Sequence, residues 1–166
     1  MTSDSHTDVD PGDGRDETDS ERSDRNWSEI LQELRVIQTG TQILTGFLLT
    51  LAFQPRFAEL DAYQEVIYLA LVIVAVLATV LALSPVALHR TVFRRKAKGD
   101  AVRIGNRLLV ATLAAVGLTL TGTSVLIFDV VAGHEAGLIA GAVALAVVAT
   151  AWIVMPVQIR LRHPRA

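Results

Sequence analysis

VIYLALVIVAVLATVLAL, residues 66–83, is a run of 18 in which only Tyr68 and Thr79 are not Leu, Val, Ile or Ala. About 20 such residues in a helix, rising 1.5 Å each, cross a hydrocarbon layer of roughly 30 Å. The uncharged window holding this run, Val66–Leu88, has 23 residues, and Val36–Pro55, Leu108–Phe128 and Ala136–Ile159 are uncharged windows of 20, 21 and 24. The pattern predicts an all-α integral membrane four-helix bundle within residues 36–160, with spans at 36–54, 66–88, 108–130 and 136–157. Composition agrees, because the 166 residues are 51% hydrophobic and only 19% charged, with mean hydropathy +0.43. Soluble domains carry roughly 25% charged residues. The first window is the least apolar, holding Gln38, Thr39, Thr41, Gln42, Thr45, Thr50 and Gln54; its alternative is an amphipathic helix in the interface.

Residues 1–26 hold nine acids and three arginines but no Leu, Ile or Phe, the composition of a disordered acidic cytosolic tail. With no basic n-region ahead of a short apolar core, the segment is neither a secretory signal nor a transit peptide. Trp27, Ile30, Leu31 and Leu34 recur at i, i+3, i+4, i+7. That spacing predicts a juxtamembrane amphipathic helix over 27–35, either lying on the membrane surface or extending the first span. Residues 161–166 form a short basic tail.

Lys and Arg number four up to Arg35, one in the first connection, seven in the second, none in the third and three after Gln158. Four spans with both termini cytoplasmic place fourteen of the fifteen on the cytoplasmic side, as the positive-inside rule requires. His89, Arg90, Arg94, Arg95, Lys96 and Lys98 crowd beside the second span, where Pro85 is expected to end or kink the helix near Leu81. Such a cluster meets anionic lipid headgroups at about 1 kcal/mol per charge. Residues 1–35 carry net −7 and residues 89–107 net +6, so the acidic tail is an alternative partner for the basic loop or a handle for another protein.

At 100° per residue Arg35, Gln38, Gln42 and Thr45 form one stripe of the first helix, with Thr41 beside it. Primary amides in hydrocarbon need partners, so the stripe either hydrogen-bonds neighbouring helices or lines a hydrated path. Gly133, Gly137 and Gly141 give the fourth helix a small-residue row that joins it to the third helix or to a second protomer. No carboxylate, Lys or Arg lies inside the four windows, which disfavours ion-coupled exchange through titratable midplane acids. Asp129, His134 and Glu135 beside the third span read as a solvated loop or as ligands of a divalent cation. There is no cysteine, P-loop, GxGxxG, HExxH or GxSxG, so neither enzyme activity nor a cofactor or metal is expected. The near-neutral net charge of −2 gives no basic excess for nucleic acid.

ELRVIQTGTQILTGFLLTLAFQPRF (33–57) and SPVALHRTVF (84–93) resemble a bacterial, largely actinobacterial family of small four-span membrane proteins with no established function. The similarity covers residues 28 to about 160. It implies a multi-pass protein of the bacterial cytoplasmic membrane, and the label some members carry implies sodium:proton antiport. It further implies that any site involves Glu33, Arg35, Gln38, Thr39, Gly40 and Gln42, with His89 and Arg90 at the same inner face and Glu33 able to pair with Arg90. Two function classes follow: a non-enzymatic interaction or scaffold protein, and a small oligomeric transporter or channel for cations or protons. Either is expected to form homo-oligomers through its small-residue faces.

Overall fold

The computed structural model describes residues 17–92 and 98–162, with side chains throughout these except at 19, 20, 88–92 and 98–101. Helix α1 (Asp19–Leu51) is followed by a short 3-10 turn (Pro55–Glu59), α2 (Ala62–Val92), α3 (Lys98–Ala132) and α4 (His134–Ala149). A π-helical turn (Thr150–Val154) joins α4 to α5 (Met155–Arg162) as one continuous rod. In the π turn Met155 N–H reaches back to the Thr150 carbonyl, just before Pro156, which has no N–H to give. No strand occurs among the described residues.

Three stretches are long and apolar enough to cross a membrane: Ala62–Ala87, Val102–Ala132 and His134–Arg162. They carry large exposed apolar side chains such as Val66, Ile73, Leu118, Ile139 and Val147, as a surface facing lipid requires. This is therefore a membrane protein. Helix α1 falls short by hydropathy, because its glutamines, threonines and charged first half dilute the apolar residues.

Helix α3 is the hub, packing against α1, α2 and α4, while α1 also packs on α2. Leu48 of α1, Tyr68, Leu71 and Ala75 of α2 and Leu126 of α3 form one core cluster; Ile30 and Leu34, Ala82 and Leu109 form another nearer the opposite end. Close approach depends on Ala75, Ala78 and Ala82, a fully buried row on α2 at helical spacing. Tyr68 Oη donates to the Leu48 carbonyl at 2.9 Å. That oxygen belongs to the last turn of α1, where carbonyls lack intrahelical partners, so Tyr68 both fills the core and caps α1.

Two expectations are corrected and one open alternative is resolved. Residues 19–26 are helical and not disordered. Thr18 and Glu21 form a reciprocal capping box, and Arg25 bridges Glu17 at 2.6 Å and Glu29 at 3.3 Å. Of the two readings of residues 27–35, the structure has the extension: they continue α1, with Trp27, Ile30 and Leu34 buried. A Cβ at Gly105 of α3 would lie 2.9 Å from the Trp27 ring, so the glycine makes room for the indole. Finally, α2 runs through Pro85 to Val92. Pro85 is buried, and the Ser84 hydroxyl donates to the Val80 carbonyl at 2.8 Å beside the break in the backbone ladder. Hydroxyl donors of this kind, together with packing, let membrane helices tolerate proline.

Candidate functional site

The end of the molecule that holds the α1–α2 and α3–α4 connections carries a polar cluster. Helix α2 starts with reciprocal bonds: Asp61 Oδ1 accepts Gln64 N–H at 2.9 Å, and Gln64 Oε1 accepts Asp61 N–H at 3.2 Å. The same Gln64 side chain donates through Nε2 to Asp129 Oδ1 at 2.7 Å. On α3, Asp129 is only 6% exposed, and its second oxygen meets His134 Nδ1 at 2.9 Å. The turn between α3 and α4 makes that contact possible. Gly133 alone separates the two helices, at φ +92°, where a side chain would be strained. The Tyr63 and His134 rings meet edge-to-face at a centroid distance of 4.9 Å.

Asp129 is thus not in a solvated loop, since both carboxylate oxygens are engaged and its side chain is covered. Asp129 and His134 of the anticipated trio meet, but Glu135 does not join them: among the described residues no group of three or more His, Cys, Asp or Glu could hold a metal. Chemically the arrangement is a pinned carboxylate–imidazole pair tying three helices together. Gln64 is the member that sequence reasoning missed. Its position three residues after Asp61 and ahead of an apolar run is a capping signal, but nothing local pointed to Asp129.

The polar stripe of α1 divides lengthwise. Thr41 is buried and donates to the Ile37 carbonyl at 2.8 Å, with Gln38 and Thr45 half-buried beside it. Arg35 and Gln42 are exposed, as is Thr39, which donates to the Arg35 carbonyl. Glu33 is exposed; the side chains of His89, Arg90, Arg94, Arg95, Lys96 and Lys98 lie outside the described residues. Gly137 and Gly141 face α3: a Cβ on Gly137 would lie 2.8 Å from Asp129 Cβ and 2.9 Å from the Val125 carbonyl, and one on Gly141 would collide with Val125. A Cβ on Gly133 would meet nothing within 4 Å.

Residues 16–156 match a family of unknown function, DUF6328. The chain belongs to this family. No curated protein and no solved structure matches the chain. The DUF6328 match contains Gln64, Asp129, His134 and the whole of α1. It begins at residue 16 and not at 28, so the helical extension capped by Thr18 falls inside the family's domain and the acidic segment does not lie wholly outside it.

Proposed function

We propose that this DUF6328 chain is a non-enzymatic interaction or scaffold protein of the bacterial cytoplasmic membrane, whose α1 presents a polar edge to another membrane helix. The exposed Gln42 amide carries this reading. From Leu34 to Leu48 α1 rises about 21 Å alongside the apolar parts of α2 and α3, sharing core clusters with them at both levels. Gln42 lies between those levels, exposed and with no hydrogen bond among the described residues. A primary amide at that depth seeks a donor and acceptor from a second helix, and an amide on a second copy of the chain supplies both. The same register favours a fourth crossing by α1, with both termini cytoplasmic, fourteen of the fifteen Lys and Arg on that side and the basic loop against anionic headgroups.

The test is Gln42→Leu in proteoliposomes, with donor- and acceptor-labelled copies reporting association by energy transfer. Weakened association with an unchanged Tm supports the reading; unchanged association overturns it.

A small oligomeric transporter or channel for cations or protons is the second reading, favoured by one observation. The Thr45 and Thr123 hydroxyl oxygens, each one turn before the clustered Leu48 and Leu126, are buried with no hydrogen-bond partner among the described residues. Water or an ion passing between α1 and α3 would satisfy them. Flux of protons or sodium into dye-loaded vesicles, abolished by Thr45→Val, would favour this reading over the first.

A further inference from the structure

Two outward rows of this chain complement each other. On α1, Glu29, Glu33, Val36, Gly40, Ile43 and Phe47 recur at alternating four- and three-residue spacing, and all six are exposed. A Cβ on Gly40 would meet nothing within 4 Å, so packing inside the chain gives no use for a glycine that weakens the helix relative to alanine. The rod made by α4, the π turn and α5 is the least covered of the three long apolar stretches. Val143, Val147, Thr150, Val154 and Gln158 line one open groove along it, and exposed Arg162 follows four residues on. Four-residue steps drift around a straight α-helix; the wider π turn takes up that drift and keeps Gln158 and Arg162 in line with the valines.

The two rows also match in depth. Leu48 shares a core cluster with Leu126, and a Cβ on Gly141 would collide with Val125; towards the other end, Leu34 shares a cluster with Leu109, and a Cβ on Gly117 would lie 3.1 Å from Val148. These pairs show α1 and α4 running in opposite directions. Equal rise along the helices sets Ile43 level with Val147, Gly40 with Thr150, Val36 with Val154 and Glu33 with Gln158. We infer that α1 of one copy seats in the α4–α5 groove of another. Ile43 and Val36 meet valines, Thr150 fits the space over Gly40, and the Glu33 carboxylate accepts from Gln158 and Arg162. In an antiparallel pair Glu33 and Arg162 lean toward each other, because each side chain tilts to its own helix's N-terminus. Neither forms an ion pair among the described residues, and the Thr150 and Gln158 side chains make no hydrogen bond there. Of the nearby cations, Arg25 is already held by Glu17, and Arg35 lies about 160° around α1 from Glu33. Two-fold pairing of like faces is disfavoured, since it sets Glu33 beside Glu33 or Arg162 beside Arg162. Lipid in the groove would leave Thr150 and Gln158 without partners. Because the two faces differ, the contact repeats from copy to copy. Gln42 lies off this row, so the contact does not rest on the amide edge proposed above.

Disulfide trapping of the full chain, which has no cysteine of its own, tests this in phosphatidylcholine vesicles. Val36→Cys on one copy and Val154→Cys on another, both exposed positions in the single chain, are reconstituted together and oxidised with copper phenanthroline. A mixed dimer is expected at about tenfold the yield of either variant alone, or of Ile43→Cys with Val154→Cys, which stands roughly 10 Å out of register. Glu33→Lys on the first copy should cut the yield about fivefold, and Arg162→Glu on the second should restore it. Absence of the mixed dimer would assign the groove to lipid or to another protein and overturn the contact. Equal yield out of register, self-linking of either variant at the same yield, or indifference to Glu33→Lys would overturn it as well.

Discussion

Gln64 of α2 donates to Asp129 of α3 at 2.7 Å across 65 positions of sequence, while its carbonyl oxygen caps the start of its own helix. One side chain therefore uses both ends of its amide to hold two helices in register. Gln64→Ala removes the cap and leaves Asp129 with His134 as its one remaining partner among the described residues, a loss of about 1–2 kcal/mol. Thermal unfolding in detergent would register it, and Asp129→Asn, which keeps one acceptor oxygen, should lower the Tm less than Asp129→Ala.

Gly137→Ala should be the most damaging of the glycine substitutions, at about 1–3 kcal/mol, since the new Cβ meets backbone as well as side chain of α3. Gly141→Ala meets only the Val125 side chain, which can change rotamer, and should cost less. A Cβ on Gly40 or Gly46 of α1 would meet nothing within 4 Å. Alanine there should be neutral or stabilising by a few tenths of a kcal/mol in the isolated chain. A drop in association without a drop in Tm for those two variants would mark the outward face of α1 as an interface.

Tyr68→Phe keeps the ring in the core but leaves the Leu48 carbonyl without its donor. A loss of roughly 0.6–2 kcal/mol is expected, the range for hydrogen bonds between membrane helices. It should also loosen the last turn of α1, seen as faster amide exchange at residues 49–52.

Arg25 is held by Glu17 and, secondarily, Glu29, which keep its guanidinium pKa above the ordinary value against some loss of solvation. Arg25→Ala should fray residues 19–26, detected as faster hydrogen exchange confined to that segment, and raising the salt concentration should reproduce part of the effect in the parent chain. The Tm should barely move, because the pairs sit at the surface.

Because the chain has no cysteine, single cysteines report sidedness directly. Ala58→Cys in the α1–α2 connection and Ser23→Cys near the start of α1 should react with an impermeant thiol reagent from opposite faces of the membrane if α1 crosses it. Labelling of both from one side would instead lay α1 along the interface.

The helices were legible in the one-dimensional string because hydrocarbon compels each crossing segment to satisfy its own backbone, making length and absence of charge sufficient signals. The segment 19–26 escaped because composition averages over positions, whereas Thr18 with Glu21, and Arg25 between Glu17 and Glu29, act through their spacing. Pro85 escaped because its effect depends on Ser84 and on packing. Which side of a helix meets which neighbour was not legible. Thr41 and Gln42 are adjacent and both polar, yet one is buried and the other exposed, since a 100° step decides which is turned into the bundle. Gln64 and Asp129, or Tyr68 and the Leu48 carbonyl, become partners only once three helices are stacked in a particular register. That register comes from the sum of many small contacts among alanines, glycines and leucines, and no single residue announces it.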